Sequence, residues 1–280
     1  MIKDPNLKPI LKWVGGKRQL LHEIIPLIPN DVTTYVEPFV GGGAVLFEYQ
    51  PQRAIINDLN EELINVYRVI KEHPEELIDI LTQHKVNHNK EYFYKIRGLD
   101  RDDNFFEKYS DVERAARTIY LNKTCYNGLY RVNSKGQFNT PYGRYKNPKI
   151  VDDITIYAMS NYFNFNDIKI MNEDYKKALT NLRKGAFVYF DPPYLPISES
   201  SSFTSYTEDG FTYEQQVELK EQCDKLNNRG IKFLLSNSYH PAILELYKDY
   251  KIKVIKAKRA INSNAEKRGE INEVLVYNYG

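Results

Sequence analysis

The sequence predicts an α/β protein built on a parallel, doubly wound sheet in three layers, interrupted by an inserted, mainly helical lobe. Three observations carry this. Short β-branched and aromatic runs recur between helical stretches near both ends of the chain. That alternation stops between about residue 87 and residue 150. The 280 residues, 42% hydrophobic and 27% charged, suit one large domain carrying an insertion. The boundaries that follow are 1–86 with 151–280 for the sheet domain and 87–150 for the inserted lobe.

The elements are read in order. "LKWVGGKRQLLHEIIPLI" (11–28) gives a short strand or loop, a Gly15-Gly16 turn and then a helix. "TTYVEPFVGGGAVLFEY" (33–49) gives a strand, a triple-glycine turn and a helical stretch. "RAIINDLN" is the next strand, ending in Asp58, and the apolar periodicity that follows restarts at Pro74. In the insertion, "DVERAARTIYLNK" reads as a helix. Strands resume with "DIKIMNEDY", "AFVYFDPPY", "IKFLLSNSY", "YKIKVIKA" and "NEVLVYNY". The helix before Ile231 has a Thr212–Gln215 capping box and Gly230 as its terminating glycine. "SESSSFTSYTEDG" (198–210) reads as a polar loop, a lid or a linker.

Composition narrows the function classes. No apolar run reaches membrane-spanning length, and residues 1–10 lack the apolar core of a signal peptide. Cys125 and Cys223 are too few and too far apart for a disulfide framework, so a reducing cytoplasm is expected. His84 and His88 stand four apart without a third ligand, which predicts a solvated helix face and no metal. Between Arg114 and Val151 there is no Asp or Glu. That block carries +8, leaving −6 for the remainder of a chain whose net charge is +2. A local charge of that sign is a footprint for phosphate, or a solvated basic face.

Two stretches point to chemistry. Glu37-Pro38-Phe39-Val40-Gly41-Gly42-Gly43 lies where a strand ends and a helix opens, the place where open parallel sheets bind ligands. Its spacing does not fit the dinucleotide fingerprint, which argues against hydride transfer. Asp58, ending the next strand, can accept both hydroxyls of a ribose, so a nucleoside-bearing ligand without a pyrophosphate fits. Lys17, in "KWVGGK", can hold a carboxylate. Trp13, the only tryptophan, packs on such a ligand or belongs to the core. The second stretch is Asp191-Pro192-Pro193-Tyr194, after an apolar strand. The prolines lock the backbone, so a carboxylate and a proline carbonyl stand as adjacent acceptors, matched to an amino group with two N–H bonds. Tyr194 offers a ring for stacking. Holding both hydrogens of a base's exocyclic amine favours the pyramidal nitrogen of a methyl-transfer transition state. A duplex base must leave the stack to reach such a pocket.

With "PFVGGG" and "KWVGGK" upstream of "DPPY", the chain resembles the Dam-type, D12-class, alpha-subgroup S-adenosylmethionine-dependent DNA adenine-N6 methyltransferases from Leu11 to Tyr279. "YLNKTCYNGLYRVNSKGQFNTPYGRYKNP" (120–148) is similar to the GATC-recognising branch. The resemblance implies a Rossmann-like methyltransferase sheet with an inserted target-recognition lobe. It implies cofactor contacts from Trp13, Lys17, Pro38, Phe39, Gly41, Gly43, Asp58, Asp174, Tyr175 and Asp191, the family more often having Phe at the Tyr175 position. Asp191, Pro192, Pro193 and Tyr194 fall on the catalytic motif. Lys12, Tyr126, Asn127, Leu129, Arg131, Pro141, Arg144 and Tyr145 match positions that contact or intercalate at the target site, and "RAINSN" (259–264) resembles a further DNA-contacting loop. The partners implied are double-stranded DNA and, in a restriction–modification setting, a cognate restriction enzyme; a monomer suffices for the chemistry. The rival readings are a methyltransferase acting on RNA or on cytosine N4, where Ser more often replaces the Asp191 position, and a DNA-binding protein without catalysis.

Overall fold

The computed structural model describes residues 3–195, 211–258 and 270–280. The first half of the chain forms α1 (Leu21–Ile24), β1 (Thr34–Glu37), α2 (Ala44–Tyr49), β2 (Arg53–Asn57), α3 (Glu61–Glu72), α4 (Pro74–Val86), α5 (Lys90–Gly98), α6 (Phe105–Lys108) and α7 (Asp111–Thr124). The second half forms α8 (Asp153–Phe165), β3 (Asp167–Met171), α9 (Tyr175–Ala178), β4 (Ala186–Phe190), α10 (Tyr213–Asn228), β5 (Lys232–Ser238), α11 (Pro241–Leu246), β6 (Lys251–Lys258) and β7 (Glu270–Tyr277).

Local chemistry sets the ends of these elements. Ser110 and Glu113 close a reciprocal capping box on α7, and Thr212 and Gln215 do the same on α10. Pro74 starts α4 directly after α3, where its missing N–H costs nothing. The helix expected after Gly15-Gly16 is instead a 3-10 turn (Lys17–Leu20), the single turn α1 and a second 3-10 turn holding Pro26.

The strands form one seven-stranded sheet in the order β3-β2-β1-β4-β5-β7-β6. Every pairing is parallel except those of β7, which runs antiparallel to both β5 and β6. This departs from the all-parallel expectation. Only residues 259–269 separate β6 from β7, too few for the helical crossover that parallel neighbours require.

Two cores cover the two faces of the sheet. Phe187 and Tyr189 of β4 face the cluster built with α2, α3, α4, α7 and α8, whereas Val188 and Phe190 face the cluster built with α10 and α11. A strand buried on both faces explains the uninterrupted apolar run at 186–190. Each such large side chain contributes about 1.5–3 kcal/mol on burial. Residues between 87 and 150 share the first core: Ala115, Ala116, Ile119 and Leu121 of α7, with Phe93, Phe138 and Ile150, belong to it.

Two sequence expectations are corrected here. His84 and His88 do not lie on a solvated face. His84 is buried and stacks on Tyr120 at 4.9 Å, its Nδ1 2.8 Å from the Tyr92 hydroxyl, and His88 Nδ1 is 2.9 Å from the Tyr120 hydroxyl. Burial depresses the His84 pKa to about 4. Nor is all of the basic block open to phosphate. Arg114 is buried against Glu62 and Asp111, Arg117 is buried 2.7 Å from Asp100, and Lys149 pairs with Asp152 at 2.8 Å. The charge count could not see these partners because Glu62, Asp100 and Asp111 precede the block and Asp152 follows it.

Candidate active site

The carboxyl ends of β1, β2, β3 and β4 supply the site. Asp191 follows the last residue of β4, one-fifth exposed, and its Oδ1 accepts from the Lys17 ammonium at 2.8 Å. Lys17, only 5% exposed, also donates to the Gly15 carbonyl at 2.6 Å and sits 4.7 Å above the Tyr194 ring. Burial pushes the Asp191 pKa up to about 6; Lys17 pulls it down and Glu273 adds a smaller upward push. The carboxylate that Lys17 holds here is Asp191 itself, which sequence reading did not anticipate.

The two prolines differ. Gln216 donates to the Pro193 carbonyl at 3.0 Å, and Asn237 donates to the Gln216 side-chain oxygen at 2.9 Å. Gln216 and Asn237 are fully buried. Ser238 donates to the Leu195 carbonyl at 3.2 Å. The Pro193 carbonyl is therefore engaged by a buried side chain although the Pro193 ring itself is exposed, whereas Pro192 is buried and its carbonyl, next in the chain to Asp191, has no hydrogen bond among the described residues. The Tyr194 hydroxyl donates to Glu273 of β7 at 2.8 Å.

On the other side, the Gly41 N–H donates to Asp58 Oδ2 at 2.9 Å and the Tyr67 hydroxyl donates to the Gly41 carbonyl at 2.6 Å. Gly41 has φ +47°, and a Cβ there would lie 2.8 Å from Trp13 Cδ1. The turn is tight enough that only glycine fits between it and the indole. Trp13 stacks its ring on Tyr130 at 5.0 Å, so it bridges the glycine turn and the segment after α7. Burial raises the Asp58 pKa, opposed by backbone N–H groups of Asn60, Gly41 and Leu59. Glu37, buried behind the turn, accepts from the Tyr35 hydroxyl at 2.8 Å, and its pKa is driven well up by burial.

Asn57 straps the loops together. Its amide donates to the Pro38 and Glu173 carbonyls at 3.0 and 2.9 Å, and its oxygen accepts from the Glu173 N–H at 3.0 Å. This brings Phe39 onto Tyr175, rings 5.0 Å apart and nearly parallel, beside Asp174, which caps α9 through the Lys176 N–H. Phe211 meets Phe39 edge-on at 5.9 Å.

The segment from Lys12 to Lys17 connects everything. Lys12 lies at the inserted region, Trp13 at the glycine turn and Lys17 at Asp191. The buried Asn122 of α7 fixes that segment: its oxygen accepts from the Lys12 N–H and its amide donates to the Lys12 carbonyl, both at 2.9 Å, and to the Gly128 carbonyl at 3.1 Å. Gly128, φ +66°, packs so closely that a Cβ would sit 2.5 Å from Lys12 Cδ. Around this contact lie Tyr126, 54% exposed, and Asn127, whose φ is +56°. The Tyr126 N–H donates to the Pro141 carbonyl at 2.8 Å, and the Leu129 carbonyl accepts from Thr140 at 2.7 Å. Lys12 sits 5.7 Å over the Tyr145 ring, next to Arg144, which has φ +54°. Arg131 is exposed on the neighbouring hairpin, where its Nε donates to Asn139 at 2.7 Å.

The residues named from sequence for the cofactor and catalytic sides are thus gathered at one sheet end, and those named for DNA at an adjoining exposed surface. The polar second layer of Asn57, Asn122, Gln216, Asn237 and Glu273 was missed. One signal was legible: "SNS" closes the otherwise apolar strand β5. Residues 198–210 and 259–264 lie outside the described residues. Among the described residues no three His, Cys, Asp or Glu side chains could hold a metal ion, and no helix is long and apolar enough to cross a membrane.

A seven-stranded sheet of this order, flanked by helices and with one reversed strand next to its edge, defines a Rossmann-like methyltransferase fold. Residues 13–261 match the D12 class N6 adenine-specific DNA methyltransferases, and the chain belongs to that family, whose members are adenine-specific DNA methyltransferases. It is 53% identical to the type II methyltransferase M1.LlaDCHI of Lactococcus lactis subsp. cremoris over 98% of this chain and 96% of that one. It is 43% identical to the type II methyltransferase M.MjaIII of Methanocaldococcus jannaschii, over 98% of this chain and 100% of that one. It is 34% identical to the DNA adenine methylase of Escherichia coli strain K12, over 96% and 94%.

Proposed function

We propose that the protein transfers a methyl group from S-adenosylmethionine to N6 of an adenine extruded from duplex DNA, within GATC. The observation that carries this reading is the Asp191 carboxylate followed directly by the Pro192 carbonyl, which has no partner among the described residues, with the Pro193 carbonyl already taken by Gln216. Together these acceptors match the two hydrogens of an exocyclic amine. As the nitrogen becomes pyramidal and positive, the fixed carboxylate strengthens its hold without reorganising.

The residues present fit the cofactor. Asp58 presents a carboxylate at the end of β2, a place suited to ribose hydroxyls, and Phe39 and Tyr175 form an aromatic wall beside Asp174 suited to an adenine. The glycine turn lets backbone approach closely. Bound S-adenosylmethionine supplies the electrophilic methyl group; the chain's part is alignment and charge. Exposed Tyr126 is placed to wedge into the stack, and Asn127, Arg131 and Arg144 to read base edges or grip phosphates. Residues 87–150 serve as the target-recognition unit on a catalytic domain of 1–86 and 151–280. One monomer completes the site, buried free thiols at Cys125 and Cys223 suit a reducing cytoplasm, and the likeness to type II methyltransferases supports pairing with a cognate restriction enzyme. GATC rests on the similarity of 120–148 to the GATC-recognising branch.

The test is incubation with S-adenosylmethionine and plasmid, followed by mapping of methylated adenines. Methylation confined to GATC is the expected result; methylated cytosine, or modified RNA alone, would refute the reading. Asp191→Ala should abolish methylation and leave DNA binding intact.

A further inference from the structure

Glu273 belongs to no motif, yet from β7, two strands away from β4 in the sheet, it touches the Asp191–Tyr194 loop. It sits on β7, opposite Ser238 of β5 and Ile255 of β6. Its Oε2 accepts from the Tyr194 hydroxyl at 2.8 Å. The same tyrosine ring lies under the Lys17 ammonium at 4.7 Å, and that ammonium is bound to Asp191 at 2.8 Å. Glu273, Tyr194, Lys17 and Asp191 thus form one continuous chain of contacts, with the ring of Tyr194 held at its hydroxyl end and covered on one face.

From this geometry we propose that Glu273 is a positioning residue for methyl transfer: it fixes the Tyr194 ring by its hydroxyl so that the face opposite Lys17 meets the target base, and its charge counts in the field at Asp191. The inference rests on the adenine-methylation reading above and extends it to a strand outside the motif. A tyrosine free to rotate about two side-chain torsions would leave the stacked base free to tilt away from the in-line approach. Misplacement on the order of 1 Å is enough to slow a transfer about a hundredfold.

The charge argument has a separate readout. Asp191 is faced by Lys17 from the N-terminal segment, Glu37 from β1, Tyr189 from β4, Tyr194 from its own loop and Glu273 from β7. Of these, Glu273 is a like charge that disfavours ionised Asp191. Glu273→Gln keeps an oxygen that accepts from Tyr194 and removes only the charge.

The experiment compares wild type, Glu273→Gln, Glu273→Ala, Tyr194→Phe and the Glu273→Ala/Tyr194→Phe double variant. Single-turnover methylation of an adenine-containing duplex is followed across pH, with the thermal midpoint of each protein recorded. Glu273→Ala and Tyr194→Phe should each lower the rate by about ten- to a hundredfold, and the double variant should lose no more than either alone. Glu273→Gln should retain most of the rate at alkaline pH and move the acid limb to lower pH. Multiplying losses in the double variant, or a Glu273→Ala rate within about twofold of wild type, overturns the positioning role. An acid limb unmoved in Glu273→Gln overturns the charge role. A wild type that leaves adenine unmodified instead sinks the underlying reading, a distinct failure.

Discussion

Lys17 and Asp191 stand 2.8 Å apart, a lysine from the N-terminal segment and an aspartate just after β4, and the lysine opposes the burial that pushes the Asp191 pKa up. Ionised Asp191 accepts from an amine more strongly than the protonated acid and alone offers a negative charge to the developing ammonium. With its pKa raised to about 6, kcat/KM should fall as pH drops through about 6, because protonation removes the negative charge that stabilises the transition state. Lys17→Met removes the influence that holds the pKa down, so the acid limb should move to higher pH. A pH–rate profile with the limb shifted to lower pH in that variant would contradict the pairing.

Gln216 should matter out of proportion to its distance from any ligand. Replacing it by Ala leaves the buried Asn237 amide and the Pro193 carbonyl without their partner, a loss of about 1–3 kcal/mol. Urea unfolding should show that loss, and the methylation rate should fall further because the Pro193 carbonyl is no longer held by Gln216. Unchanged stability and rate would mean that the loop holds its shape by proline stiffness alone.

Gly41→Ala should injure cofactor binding. The methyl group would meet Trp13 Cδ1 at 2.8 Å, at a φ of +47° that side chains rarely adopt. Strain of about 1–3 kcal/mol is expected, together with weaker S-adenosylmethionine binding by calorimetry. Gly128→Ala, crowding Lys12 instead, should spare cofactor affinity and weaken DNA binding.

The basic block should divide sharply on mutation. Arg117→Ala removes a buried guanidinium that pairs with Asp100 and donates to the Ile96 and Arg97 carbonyls, leaving Asp100 with Arg101 and the Phe138 N–H, and should cost about 1–3 kcal/mol of stability. Lys146→Ala, on an exposed residue, should leave stability alone, weaken all DNA equally and lower the salt slope by about one. Arg131→Ala should relax discrimination at the recognition site. Gel shifts across salt on cognate and mismatched duplexes separate these outcomes; equal losses on both duplexes for Arg131→Ala would count against a base-reading role.

Much of the fold could be read directly because its strands are short, separated by capped helices and, at β4, apolar on both faces. The direction of β7 was not legible, since strand patterning carries no sign and only the length of chain between β6 and β7 hints at it. The histidine pair was misread for a related reason: a spacing of four assumes one helix, but α4 ends at Val86, short of His88, and spacing does not say what packs over His84, where Tyr92 and Tyr120 come from other helices.

The residues in contiguous motifs were determined by the sequence alone: the glycine turn, Asp58, the Asp191–Tyr194 run and the exposed side chains around Tyr126. Covalent neighbours stay neighbours in any fold, so their chemistry could be argued from order and spacing. Tertiary structure decided everything that depends on partners distant along the chain. It chose which proline carbonyl remains open, what Lys17 holds, which arginines of the basic block are already neutralised and how Glu273 reaches Tyr194. Those outcomes depend on burial and on approach within about 3 Å, quantities that exist only once the sheet has brought separate strands together.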